Sequence, residues 1–262
     1  MQVPGYAPGN LAPIDPQDRA SIAPPPRNLP PAVTAAALLA AAVFPTFATW
    51  LYFVVLPGGP WALTVYAVAK GLQFSFPLVW TLWVLRVPLR LRGVEARRDL
   101  LPGALSGAAI LAVLFGLWRP LTTLPALGGV PVAIAAKMDA FGIVSPGAFL
   151  LLAAFYSVIH SLLEEYYWRW FLLGGLRRRM SPAAALALSS LAFMSHHVLV
   201  LGEFLGGYGA ATWLLALAVA GAGALWSWLY LRSGALYAPW LSHACADAGL
   251  MAIGYWLWRT MG

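Results

Sequence analysis

The chain has 262 residues, of which 61% are hydrophobic and only 10% are charged, and its mean hydropathy is +0.76. Soluble globular proteins contain about 45–50% apolar and about 25% charged residues. The composition therefore excludes a soluble enzyme, a coiled coil and a disordered protein, and it indicates that lipid surrounds most of the chain. The single cysteine excludes an intrachain disulfide.

The net charge of the chain is +7 at pH 7. In membrane proteins, basic residues set the orientation of the spans, because basic loops stay in the cytoplasm. We therefore expect a lipid bilayer as a partner and no nucleic acid. With the N-terminus in the cytoplasm, segments 86–98 and 177–179 and Arg232 lie inside. The basic residues expected outside are Arg119, Lys137 and Arg259.

The elements follow from the apolar stretches in chain order. Residues 1–31 contain nine prolines, which predicts a disordered tail. The rest predicts an all-α fold, a polytopic transmembrane helix bundle of about seven spans. Residues 119–146 predict a loop or interfacial segment between the N-terminal helices at 32–118 and a helical domain at 147–258. A further span within 119–146 would reverse the orientation of all later helices in the membrane. The predicted spans are residues 32–56, 61–85, 101–118, 147–178, 182–202, 210–231 and 236–258.

Ionisable side chains gather in the C-terminal half of the chain. A charged residue within a span costs about 2.5–3.5 kcal/mol on insertion scales, so each is a candidate functional residue. Comparable clusters are absent from the first three predicted spans. The residues concerned are His160, Glu164, Glu165, Arg169, His196, His197, His243 and Asp247.

The first motif lies in the fourth predicted span. Glu165 and Arg169 are four residues apart, so they share a helix face and can form an ion pair. Glu164 is rotated by about 100° from Glu165 and shares a face with His160. We therefore expect Glu165 to be paired and Glu164 to be free for chemistry. The alternative is that both carboxylates only bond neighbouring helices.

The next two motifs lie in the fifth and seventh predicted spans. His197 lies one helical turn beyond Phe193, whereas His196 should point elsewhere, as a core histidine would. His243 and Asp247 share a face, so they could bind one metal together, or Asp247 could orient the imidazole. The alternative is an internal hydrogen bond that only packs helices.

Depth in the membrane connects these motifs. The fourth and fifth spans form a hairpin, and Glu164 and His197 both lie about 21–23 Å from its turn, at 1.5 Å per residue. We therefore expect Glu164, His197, His243 and Asp247 to meet in one pocket. Zn²⁺ bound by His197, His243 and Asp247 would activate a water whose proton Glu164 accepts. In a version without metal, Glu164 and His197 activate the water and His243 stabilises the oxyanion.

These motifs resemble the signature of the CPBP family, which includes the CAAX prenyl proteases and the Abi and lysostaphin-resistance-like membrane proteins. The resemblance implies an intramembrane metalloendopeptidase with Glu164 as catalytic base, and His197, His243 and Asp247 as the other site residues. It implies supporting roles for Glu165, Arg169 and Phe193. The matching motifs are Glu164-Glu165-x-x-x-Arg169, Phe193-x-x-x-His197 and His243-x-x-x-Asp247.

One position departs from the eukaryotic members that this chain resembles, which carry Asn where Asp247 stands. An ionised Asp only accepts hydrogen bonds, whereas Asn can donate one to an oxyanion. This difference favours a metal and weakens the inference of a prenylated substrate. The expected partner is therefore a membrane-associated or lipidated peptide or protein, and the arginine- and alanine-rich composition suits a bacterial plasma membrane.

Two other functions stay open at the level of sequence. A catalytically silent scaffold or immunity-type protein could keep the same fold, although the intact motifs argue against decay. A haem protein could use two of His160, His197 and His243 as axial ligands. Haem would leave the buried pair Glu164 and Glu165 unexplained.

Overall fold

The computed structural model describes residues 29–56, 61–89 and 93–260. Nearly all of the predicted tail therefore lies outside the described residues. Within the described ranges, the regular elements are helices, with a short 3₁₀ turn at Pro125–Leu127. The helices are α1 (Pro31–Val55), α2 (Ala62–Val79, continued by a π-helical turn at Trp80–Val84), α3 (Ala96–Thr122), α4 (Val130–Ala140), α5 (Pro146–Leu176), α6 (Pro182–Leu205), α7 (Ala210–Ser233) and α8 (Tyr237–Arg259).

The helices confirm the all-α membrane fold. Five of those in the described ranges are long and apolar enough to cross a bilayer, namely α1, α3, α5, α6 and α7. The predicted spans 61–85 and 236–258 correspond to α2 and α8, which are not among these five. In α8, a helix of 23 residues, the polar His243 and Asp247 interrupt the apolar sequence.

Helix α3 is longer than the apolar pattern predicts. It begins at Ala96, within an arginine-rich segment, and ends at Thr122. Its first turn is stabilised by the buried Asp99, whose carboxylate accepts a hydrogen bond from the Glu95 backbone N–H at 2.8 Å. A carboxylate at a helix N-terminus satisfies N–H groups that have no partner within the helix. The predicted segment 119–146 contains α4.

Helix α5 forms the centre of the bundle. Every residue of its segment Tyr166–Leu173 is buried. The Tyr167 hydroxyl donates a hydrogen bond of 2.6 Å to the Ala41 carbonyl of α1, and Trp168 packs edge-on against Phe193 of α6. The helix is π-helical at Phe155–His160 and again at Tyr166–Leu173. Such wide turns are frequent at functional sites, and here they flank the α-helical turn that carries both glutamates.

Helix α8 is held against α3 by small residues. A Cβ atom at Gly103 would lie 2.8 Å from the Ala238 carbonyl oxygen, and one at Gly107 would lie 2.8 Å from the Cys245 sulfur. Glycines four residues apart allow helix backbones to approach closely in a membrane. Because α8 also carries His243 and Asp247, this contact fixes the distance of these residues from α3.

We predict that Gly107→Leu destabilises the protein by about 1–3 kcal/mol, because the new side chain overpacks the α3–α8 contact. The matched control is Gly116→Leu on the same helix, where a Cβ would meet nothing within 4 Å. Thermal unfolding in detergent, followed by size exclusion, compares the two. Equal midpoints for both variants would show that the contact is not a tight one.

Candidate intramembrane active site

Glu164 lies at the centre of a group of histidines. Its side chain is buried, and three imidazole nitrogens approach its two oxygens. His196 Nε2 is 3.6 Å from Oε1, whereas His243 Nε2 and His160 Nδ1 are 3.7 and 4.0 Å from Oε2. In the described part of the chain, no Lys or Arg lies within ion-pair distance of Glu164. As expected, Arg169 pairs with Glu165 and not with Glu164.

Glu165 joins α5 to α8. Its Oε1 lies 3.2 Å from Arg169 Nη1, which is the predicted ion pair. The same oxygen accepts a hydrogen bond of 2.8 Å from His243 Nδ1. Glu165 is completely buried, so its charge has no water to stabilise it. The two partners offset the cost of this desolvation. The carboxylate therefore orients the imidazole of His243, a role that Asp247 could have taken on sequence grounds.

Arg169 is enclosed by aromatic rings. Its guanidinium carbon lies 4.7 Å from the ring centre of Phe193 and 5.3 Å from that of Trp226. Nη2 donates a hydrogen bond of 3.2 Å to the Gly223 carbonyl of α7. Ring faces attract cations most strongly where water is excluded. Phe193 thus packs against the arginine that forms the ion pair with Glu165.

His243 is fixed on its ring face as well as at its nitrogens. The indole of Trp226 stacks on it, with ring centres 3.8 Å apart. Trp226 is itself anchored to α8, because its Nε1 donates to Ser242 Oγ at 3.1 Å. With Nδ1 bound to Glu165, His243 presents Nε2 to Glu164 and lies 3.6 Å from Asp247 Oδ1. The predicted pairing of His243 with Asp247 on one helix face is therefore observed.

His197 and His196 both approach Glu164. Each offers one ligand atom, and with a carboxylate oxygen of Glu164 these atoms lie within 4.8 Å of one another. Nδ1 of His197 is 2.9 Å from the Phe193 carbonyl, which leaves its Nε2 available. The expectation that His196 points away is wrong. Its ring stacks on Trp168 at 5.4 Å, and this stacking turns Nε2 toward the carboxylate.

The structure brings together most of the residues predicted for the site. Glu164 and His197 lie level across the α5–α6 pair, as their depth predicted, and His243 reaches both glutamates. Among the described residues, the group compact enough for a metal is Glu164, His196 and His197. His243 and Asp247 lie outside that group, so the ligand set His197, His243 and Asp247 stays a prediction.

Two features of the site do not follow from the sequence. Helix geometry rotates His196 by about 100° from His197, which predicts that His196 points away from the site and into the core. Only its position beside His197 could have suggested a joint role. Trp226 is one of several tryptophans in the last predicted spans, and no sequence signal separates it from the others.

Comparison with known proteins found one family model that matches part of the chain. Residues 146–249 match the family model described as type II CAAX prenyl endopeptidase Rce1-like. The match runs from α5 to α8 and includes all three motifs. No curated protein and no solved structure gave a match. The helical segment that carries the glutamates and histidines of this site is therefore similar to the CAAX prenyl endopeptidases.

Proposed function

We propose that the protein is an intramembrane endopeptidase that hydrolyses a peptide bond with a water activated by Glu164. The observation that carries this proposal is the division of labour between adjacent carboxylates. Glu165 is held by Arg169 and His243, whereas the basic groups of the described residues within 4.0 Å of Glu164 are all imidazoles. A structural role would need one paired glutamate, and a second unpaired one adds cost in a membrane.

The protein's own groups supply the acid–base chemistry. Glu164 accepts a proton from the attacking water and delivers it to the amine of the departing peptide. His243 Nε2 lies 3.7 Å from Glu164 Oε2, and its Nδ1 is held by Glu165. A proton on Nε2 makes this nitrogen a donor toward the oxyanion of the tetrahedral intermediate. Donors fixed in advance are effective because they need no reorganisation during the reaction.

The donor chemistry of the site fits a divalent metal such as zinc, which prefers imidazole nitrogen and carboxylate oxygen. Glu164, His196 and His197 would hold it, since their ligand atoms already lie within 4.8 Å of one another. When bound, the metal lowers the pKa of water and polarises the substrate carbonyl. The two oxygens of Glu164 face different neighbours, so one can bind a cation while the other accepts a proton.

The proposed substrate is a membrane-associated peptide, with prenylated peptides as the first class to test. The match to a prenyl endopeptidase family supports this choice. We further propose that the host membrane is a bacterial plasma membrane, with the N-terminus in the cytoplasm.

We predict that Glu164→Gln lowers cleavage of a farnesylated peptide by about 10²–10⁴-fold, because an amide cannot accept the proton of water. Mass spectrometry of the products measures the rate in detergent. The matched control is Glu203→Gln, the same change at a half-exposed glutamate on α6 that pairs with Lys137. Cleavage that persists in Glu164→Gln, with both variants folded, would refute the assignment of the base.

We also predict that purified protein reconstituted with zinc holds about one ion per chain, and that His196→Asn and His197→Asn each lose it. Asp247→Asn and the control His160→Asn should retain it, since neither residue belongs to the compact group. Elemental analysis measures the metal independently of activity.

Zinc lost in His243→Asn and Asp247→Asn but kept in His196→Asn would favour the ligand set predicted from the sequence. Cleavage that survives strong chelators would instead assign the reaction to Glu164 and His197 acting directly on water.

A further inference from the structure

A cavity of about 410 Å³ lies at one end of the bundle, where α1 begins and where α2 and α5 end. Small-molecule sites in proteins commonly have volumes of about 300–1,000 Å³. The first turns of α1 supply Thr34 and Leu38 to its lining, and the end of α5 supplies Trp170 and Phe171. Among the described residues that line it, none belongs to the candidate active site. The cavity is therefore a second candidate site, which the proposed function does not use.

The walls of this cavity are mostly apolar. Leu38, Trp170 and Phe171 are buried, and Trp80 and Leu85 at the end of α2 are half-buried. A polar ligand chain would lose its hydrogen bonds with water against such walls, whereas a hydrocarbon chain has none to lose. The lining therefore favours a ligand with a hydrocarbon part.

One edge of the cavity carries positive charge. Arg178 and Arg179, which directly follow α5, line the cavity, and both are exposed. Arg86 is also exposed and lies between Leu85 and Val87, which both line the cavity. None of the described lining residues is acidic. Since guanidinium groups form paired hydrogen bonds with phosphate oxygens, this edge favours an anionic phosphate group.

The cavity also contains a hydrogen-bond donor without an acceptor. Trp170 is 4% exposed, and its Nε1 has no hydrogen-bond partner among the described residues. A buried indole N–H usually finds such a partner. Trp170 lies about two helical turns before Arg178, on the side of the arginines that leads into the bundle. The ester carbonyl of a phospholipid lies on the hydrocarbon side of its phosphate, so it is an acceptor on the same side.

The position of the cavity along the bundle agrees with a phospholipid. Both basic segments expected in the cytoplasm contribute to its lining, Val87 from segment 86–98 and Arg178 from segment 177–179. Anionic phospholipids are abundant in the cytoplasmic leaflet, and basic pockets between transmembrane helices on that side bind their head groups. A lipid of this leaflet has its phosphate at the membrane surface and its acyl chains toward the membrane centre.

We propose that this cavity binds one anionic phospholipid of the cytoplasmic leaflet. The lipid phosphate contacts Arg178 and Arg179, an ester carbonyl accepts a hydrogen bond from Trp170 Nε1, and an acyl chain packs beside Leu38. The bound lipid joins α1 and α2 to the end of α5, the helix that carries both glutamates of the candidate active site. The inference does not depend on peptide cleavage, because none of these groups takes part in the proposed reaction.

Native mass spectrometry of delipidated protein in detergent tests this site with phosphatidylglycerol and phosphatidylcholine. One phosphatidylglycerol should bind about tenfold more tightly than phosphatidylcholine, because two arginines attract its net negative charge. The double variant Arg178→Gln, Arg179→Gln should lose this preference. The matched control is Arg97→Gln, Arg98→Gln, which removes two adjacent exposed arginines of α3 that do not line the cavity and should keep the preference.

A second pair of variants tests the apolar part of the cavity and leaves the arginines in place. Thr34→Trp puts an indole into the cavity and should weaken phosphatidylglycerol binding about tenfold, which corresponds to about two CH₂ groups excluded from it. The matched control is Ala35→Trp, the same change at an exposed neighbour that does not line the cavity. This control should bind the lipid as wild type does.

Equal affinity of wild type for the two lipids overturns the proposal, and so does a preference that persists in the double variant of Arg178 and Arg179. Equal binding by Thr34→Trp and Ala35→Trp overturns the location of the acyl chain. Glycerol 3-phosphate that competes as strongly as the lipid would show that only an anion binds, and displacement by a farnesylated peptide would assign the cavity to the substrate; either result overturns the lipid assignment. The comparison of lipids on wild type needs no variant, so it decides the proposal even if a variant fails to fold.

Discussion

The site depends on one buried contact, the Glu165 carboxylate that lies between Arg169 and His243. Its Oε1 is 3.2 Å from the guanidinium and 2.8 Å from the imidazole. Removing either partner would leave a charge without compensation in a medium without water, a loss worth about 3–5 kcal/mol in buried pairs. The contact therefore fixes the position of α8 relative to α5. It also sets the orientation of His243 and pairs Arg169 with Glu165 and not with Glu164.

Aromatic side chains stabilise the buried charged groups of the site. Phe193 and Trp226 cover Arg169, while Trp226 and Trp168 stack on His243 and His196. These rings exclude water and still offer a polarisable face to cations, which an aliphatic core would not. The same rings remove rotational freedom from the imidazoles. Fixed rings and low local polarity are the conditions under which hydrogen-bond donors and bases act most effectively.

Sequence patterns predicted most of the site because its key pairs are local. Glu165 with Arg169 and His243 with Asp247 are each four residues apart, and helix geometry alone places such pairs together. The approach of Glu164 to His197 followed from depth along an antiparallel hairpin. His196 was assigned wrongly because helical periodicity separates adjacent side chains, whereas stacking on Trp168 from another helix returns it to the carboxylate. Periodicity describes one helix and carries no information about the ring packed beside it.

The amino-acid sequence by itself determined the membrane environment, the all-α class, the order of the motifs and the pairs within each helix, since these depend on composition and on spacing along one chain. Only the tertiary structure decided that Glu165 orients His243, that Trp226 stacks on the ring, and that Phe74 of α2 packs against His160 of α5. These contacts join α5 to α8, α7 to α8 and α2 to α5. They depend on packing between distant parts of the chain, as does the close approach of α3 and α8 at Gly103 and Gly107.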